Sequence, residues 1–210
     1  MLKIKSLVVG AIILSASSVS NASSLFKDVY LRGGVGHSTY KDFEARPPLY
    51  LAGKLTKTPS YNFGIGKKIT DSFLVDLSFN YGSWLYKVTT RRWSQEIKQR
   101  GKQHSVFFRA SYFLKTNKFV SPFLNAGVGL SKLQPGKRYY LNIGGLAGVK
   151  HTSLSWLLGG GLNFNISNNL SFNLGYEYIN FGEIKLNTRR FSKQKIISGT
   201  YSLSVFYNFN

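Results

Sequence analysis

Residues 73–85 read FLVDLSFNYGSWL, and the rhythm of this stretch decides the fold. Successive side chains of a β-strand point to opposite faces. Phe73, Val75, Leu77, Phe79 and Tyr81 therefore share one face, and Asp76, Ser78, Asn80 and Gly82 the other. Five large apolar groups against an acid, a hydroxyl, an amide and a glycine make a strand with one bulky apolar surface and one small polar surface. The question is which medium meets the bulky side.

The pattern recurs along the chain. At 104–114, Val106, Phe108, Ala110, Tyr112 and Leu114 oppose Phe107, Arg109, Ser111 and Phe113. At 153–166, Leu154, Trp156, Leu158, Leu162, Phe164 and Ile166 oppose Ser155, Gly159, Gly161, Asn163 and Asn165. At 170–179, Leu170, Phe172, Leu174, Tyr176 and Tyr178 face away from Ser171, Asn173, Gly175 and Glu177. Weaker versions at 29–38, 61–69, 120–130 and the closing TYSLSVFYNFN (200–210) bring the count to eight strands. Pro122 lies near a strand start, where a missing ladder donor is tolerated. Three connections are short and turn-forming, Thr70-Asp71-Ser72, Lys115 to Lys118 and Ser167-Asn168-Asn169. Four are long, at about 40–58, 87–103, 132–152 and 183–196.

Alternating short and long connections describe an all-β, eight-stranded antiparallel up-and-down meander. Its two edges vanish if 201–209 pairs with 29–38 and the sheet closes. An eight-stranded barrel has a lumen only wide enough for side chains, so the small face belongs inside. The large face then points outward. In water it would be a very large exposed apolar patch; in an outer membrane it is the required belt. Tyr61, Trp156, Tyr178, Tyr207 and Phe209 are the expected interfacial aromatics. A soluble sandwich would need a second sheet to cover the apolar face, which one-sided patterning in every strand does not provide.

The N-terminus agrees with export. Lys3 and Lys5, the apolar run LVVGAIIL (7–14) and Ser20-Asn21-Ala22 form a basic start, a core and a small-residue cleavage pattern. We expect a cleaved leader at 1–22 and a barrel domain at 23–210. The apolar run is too short for a spanning helix, which needs about 20 residues. The chain has no cysteine, which excludes a disulfide framework.

GGGLNFNISNNLSFNLGYEYINFG (159–182) resembles the sixth strand, tight turn and seventh strand of the small eight-stranded outer-membrane barrel family, the OmpA/OmpX and opacity-protein type. YSLSVFYNF (201–209) is similar to the C-terminal signal by which the outer-membrane insertion machinery recognises such barrels. The resemblance covers essentially the whole chain after the leader. It implies an integral outer-membrane location, periplasmic short turns, four extracellular long loops and a role in surface attachment.

Charge is distributed unevenly. The formal net charge is +20, and loss of Lys3 and Lys5 with the leader lowers it to +18. Segments 40–58, 87–103, 132–150 and 183–195 carry +2, +5, +4 and +4, so fifteen of the eighteen excess charges sit at one end of the barrel. Arg91-Arg92-Trp93 and Arg189-Arg190-Phe191 each set an Arg pair beside an aromatic. With Lys98, Arg100, Lys102, Lys137, Arg138, Lys193 and Lys195 they form a candidate surface for phosphate or sulfate, which Arg binds in bidentate geometry. Lipopolysaccharide and anionic host glycans fit it; nucleic acid does not fit a position outside the cell. Solubility alone or a generally basic proteome would produce the same bias.

On the inward face, Arg32, Asp76, Arg109 and Glu177 imply paired charges within the lumen, because an unpaired buried charge is very costly. This network reads as a structural plug rather than a pore. Other chemistry finds little support. His37, His104 and His151 fall near the loop ends with no ligand spacing. His151-Thr152-Ser153 is similar to the His-x-Ser of barrel-type lipid A deacylases, but Leu-Ser-Trp follows it and Asn163 stands where that family has its orienting glutamate. Gly64-Ile65-Gly66-Lys67-Lys68 lacks the spacing of a phosphate loop. The expectation is a monomeric, non-enzymatic barrel without cofactor or metal. A purely structural barrel, a haem- or metal-binding surface protein and a lipid A hydrolase are the alternatives.

Overall fold

The computed structural model describes residues 28–40, 43–44, 51–56, 58–90, 95–114, 116, 119–135, 151–184 and 194–209. They form ten strands: β1 Val29–Tyr40, β2 Phe43–Glu44, β3 Leu51–Thr56, β4 Thr58–Lys68, β5 Phe73–Thr90, β6 Gln95–Phe113, β7 Val120–Pro135, β8 His151–Asn165, β9 Leu170–Ile184 and β10 Gln194–Phe209. Antiparallel ladders run β1-β4-β5-β6-β7-β8-β9-β10. The circle closes where β10 returns to β1, from Val29↔Phe209 to Tyr40↔Ser198. The result is a closed eight-stranded antiparallel barrel.

Two elements go beyond the expected outline. β5 continues to Thr90 and β6 starts at Gln95, so most of 87–103 is a hairpin rather than a loop. The β-branched Val88, Thr89, Thr90 and Ile97 favour the extended backbone that sustains this ladder. Above β4, β3 continues along β5 from Thr56↔Leu85 to Leu51↔Thr90, and β2 pairs with β3. A small sheet, β2-β3-β5-β6, thus rises from one side of the barrel.

At the opposite end the turns are locked by short hydroxyls. Thr70 Oγ1 accepts from the amides of Ser72 and Phe73, and Ser167 Oγ from those of Asn169 and Leu170. Asn169 donates its side-chain amide to the Asn208 carbonyl at 2.8 Å, tying a turn to the last strand.

Alternation sorts the side chains as the period-two pattern requires. Val35, Phe63, Leu77, Phe108, Val128, Leu158, Leu174 and Leu203 lie exposed on the outer wall. An aromatic band crosses it on the loop side, with ring centroids 6.4 Å apart for Tyr61–Tyr81, 5.0 Å for Tyr81–His104, 5.5 Å for Trp156–Tyr178 and 4.8 Å for Tyr176–Tyr201. Tyr207 and Phe209 make an edge contact at 5.1 Å near the turn end. Tyr61, Trp156 and Tyr207 are exposed, while Tyr178 and Phe209 are half-buried.

The lumen is packed in three layers. Tyr30, Leu74, Phe113, Phe123 and Phe206 form an apolar layer toward the turns. Tyr40, Trp84, Phe107, Leu133, Leu157, Ile179, Phe181 and Ile196 form a second one toward the loops. Polar and charged groups occupy the level between and the margins. Glycine, serine and asparagine alone therefore do not fill the interior; aromatic and aliphatic side chains seal it at two heights.

Candidate functional site

The polar middle layer is built from inward positions of non-adjacent strands. Arg32 on β1 reaches over β4 to Asp76 on β5, Nη2 to Oδ1 at 3.4 Å. Tyr30 donates its hydroxyl to Asp76 Oδ2 at 2.8 Å. On the other side Arg109 on β6 reaches past β7 and β8 to Glu177 on β9. Its Nη1 donates to Oε1 at 2.6 Å and its Nη2 to Oε2 at 3.4 Å. Asn125 Nδ2 also donates to Glu177 Oε1, at 3.0 Å. All four charged residues are at most 9% exposed. Since Asp76 and Arg109 are register partners on β5 and β6, the two ion pairs meet at the middle of one wall.

Glycines create the clearance for these long side chains. A Cβ at Gly159 would lie 2.6 Å from Asn125 Oδ1 and 2.8 Å from Glu177 Cγ, and one at Gly64 would lie 3.3 Å from Arg32 Nη2. Hydroxyl contacts knit the remaining staves: Ser38 with Thr200 at 2.9 Å, Ser105 with Ser131 at 2.7 Å, and Ser131 donating to Ser155 at 2.8 Å. Tyr30 and Asn125 were not anticipated as members of the network. Asn125 was accessible from parity within 120–130, but Tyr30 is an aromatic on the polar side, which the pattern gives no reason to single out. Among the described residues, Arg32 Nε, Arg109 Nε and Asn173 Oδ1 find no protein partner, and buried polar atoms of this kind are ordinarily met by ordered water.

A cavity of 540 Å³ opens beneath the lower apolar layer, with Lys68, Asn163, Asn165, Ser171 and Asn208 on its walls and Phe113 and Phe206 at its floor. Phe206 stacks on Tyr30 at 5.6 Å, and the Arg32 guanidinium lies 5.7 Å from its ring centre. An inward aromatic here separates the cavity from the charged layer.

At the loop end, Arg91, Arg92, Lys137, Arg138, Arg189, Arg190 and Lys193 lie outside the described residues. Lys98 and Arg100 fall on β6 above the barrel wall. Lys102 and Lys195 are exposed. The three histidines are kept apart: His37 is on β1, His104 is on the outer face of β6 against Tyr81, and His151 takes an inward position on β8. Ser153 Oγ donates to the Glu183 carbonyl at 2.9 Å, so its hydroxyl proton is committed to backbone.

The family model of the outer membrane protein β-barrel domain matches residues 7–209. The chain belongs to that family. As an outer membrane protein β-barrel it is an integral protein of the outer membrane, crossing with its strands. Neisserial surface protein A is similar in fold, with a TM-score of 0.61 and 17% identity over 87% of this chain and 98% of the other. The outer membrane protein OprG from Pseudomonas aeruginosa gives 0.61 and 14% over 88% and 96%. The attachment invasion locus protein Ail of Yersinia pestis, in complex with the heparin analogue sucrose octasulfate, gives 0.51 and 20% over 86% and 97%. Comparison with curated protein sequences finds no match.

Proposed function

We propose that this outer-membrane barrel is a non-enzymatic surface protein whose extracellular end binds anionic polymers, sulfated glycans foremost, after export by a cleaved leader at 1–22. The observation that carries the reading is the charge distribution. Segments 40–58, 87–103, 132–150 and 183–195, which extend or join the strands at the end away from the short turns, hold +15 of the chain's excess charge. Arg91, Arg92, Arg189 and Arg190 with their adjacent aromatics suit an oxyanion that also presents a sugar face. The sucrose octasulfate complex of the Yersinia protein supports this class of ligand. The Ser153 hydroxyl bonded to backbone speaks against a hydrolytic nucleophile at His151-x-Ser153, and the ion-paired lumen supports the plug.

Refolded protein should be retained on a heparin matrix and released by salt, because attraction between exposed charges is screened over about 8 Å at physiological ionic strength. Arg91→Gln, Arg92→Gln, Arg189→Gln and Arg190→Gln together should abolish retention. Retention that ignores salt, or that survives the four substitutions, rejects the proposal.

A further inference from the structure

The cavity beneath the lower apolar layer has two chemically different sides. Register sets inward residues of four consecutive strands at one level: Ser121 on β7, Asn163 on β8, Asn173 on β9 and Ser204 on β10 are successive ladder partners. One rung nearer the turns, Asn165, Ser171 and Phe206 follow in the same way. Ser121, Asn163, Asn165 and Ser171 line the cavity, and Asn208 extends their wall on the last strand. Leu74, Phe113 and Phe206 close the space with an apolar floor. Phe113 is stacked on Phe123 at 5.5 Å and Phe206 on Tyr30 at 5.6 Å, so the packed layer behind holds both rings in place.

The wall is rich in carboxamides and poor in net charge. Asn163 Nδ2 donates to Asn165 Oδ1 at 2.7 Å, which fixes the two side chains relative to each other. Asn208 is tied to the neighbouring turn through its main-chain N–H and carbonyl. Asn173, the partner of Asn163, is 5% exposed, and its Oδ1 has no protein partner among the described residues. By contrast, the Thr116 hydroxyl is committed to the Val120 carbonyl at 2.9 Å. Among the described lining residues the charged groups are Lys68 and Asp71, and these pair at 2.9 Å. The volume of 540 Å³ lies within the range of about 300–1,000 Å³ typical of small-ligand sites.

A carboxamide carries both N–H donors and an oxygen acceptor. It therefore matches a hydroxyl or an acetamide, each of which also donates and accepts. The negative face of an aromatic ring suits the C–H face of a pyranose. A neutral ring with one apolar face and a rim of hydroxyl and acetamido groups meets both sides of the cavity at once. We infer that the turn-end cavity is a binding site for a neutral, N-acetylated amino-sugar glycan. With the long segments extracellular, it opens to the periplasm. The site draws on carboxamide hydrogen bonds and ring contact rather than on charge, and it does not depend on the anionic-ligand reading of the opposite end.

The test titrates refolded protein in phosphatidylcholine nanodiscs with N,N′-diacetylchitobiose and follows the side-chain amide NMR signals of Asn163, Asn165 and Asn208. Wild type should show saturable shifts that added salt leaves unchanged. Asn165→Ala with Asn208→Ala should weaken binding about ten-fold, the worth of two neutral hydrogen bonds, in protein whose fast migration on a detergent gel shows a closed barrel. The chain has no cysteine, so Asn168→Cys, at an exposed position in the turn, accepts a bulky maleimide after refolding. The label should abolish the shifts and the unlabelled variant should keep them, whatever the fate of the alanine pair. Tetra-alanine shifting the same signals as strongly makes this a peptide site and overturns the proposal. So does a disaccharide titration without saturable shifts, a response that salt removes, or one that persists under the label. Arg91→Gln with Arg92→Gln should leave disaccharide binding intact, and its loss there also overturns the proposal.

Discussion

At the scale of single residues, the middle of the lumen makes the sharpest demand. Glu177 has Arg109 and Asn125 for partners in a buried setting. Arg109→Met leaves its carboxylate without a cation, and breaking a buried pair from one side costs about 3–5 kcal/mol. Urea unfolding in lipid vesicles should show that loss, and adding Glu177→Gln should restore at least half of it. Simple addition of the two losses would mean that the pair does not act as a unit. A second residue test lies on the outer wall, where Leu77 is exposed. Leu77→Arg should cost about 2–4 kcal/mol in a bilayer, as an arginine near the midplane does. No loss would show that this face does not meet hydrocarbon.

At the scale of elements, the hairpin above the barrel and the bulge in β9 set local behaviour. Register slips between Lys195 and Ile197 of β10, opposite Asn180 and Glu183 of β9, and Gly182 has φ of +86°. An added Cβ there would lie 2.3 Å from the Ser153 Cβ and 2.8 Å from the Leu154 carbonyl. Gly182→Val should therefore destabilise the barrel by more than the roughly 1 kcal/mol of strain alone, measured by the same urea titration. Replacing residues 86–99 by a two-residue turn should leave the barrel folded, because the ladder from Gly82↔Gln103 downward does not depend on it. Elements with clean alternation, such as 73–85, were legible from sequence, and so was the inward parity of the four lumen charges. The hairpin was not, because Lys, Arg and Gln at 95–103 give that strand no apolar alternation by which to recognise it. The lumen apolar layers were legible only in part: parity set Phe107 and Phe113 on the inner face, but it did not show that such residues form continuous layers. Leu157 stands between Trp156 and Leu158, and where both faces are apolar the alternation no longer marks which residue points inward. Most of the basic candidates gave no strand pattern and lie outside the described residues.

At the scale of the whole molecule, closure is the decisive property. Leu203 of β10 is paired with Val35 on one side and Leu174 on the other. Leu203→Pro removes a ladder donor at that seam and should abolish the fast-migrating form of the unheated protein on a detergent gel, whereas Leu203→Ala should keep it. A barrel sealed at two heights should also give no steady conductance in a planar bilayer.

The sealed lumen has a further consequence, which concerns the journey rather than the destination. Stretches where inner and outer side chains are both apolar, Val106–Phe107–Phe108 and Trp156–Leu157–Leu158, are sticky while the chain is still unfolded in water. The seal that makes the finished barrel tight therefore makes the travelling chain dependent on an escort. Phe107→Ser and Leu157→Ser should slow aggregation after dilution from urea while weakening the folded barrel, so light scattering and stability should move in opposite directions.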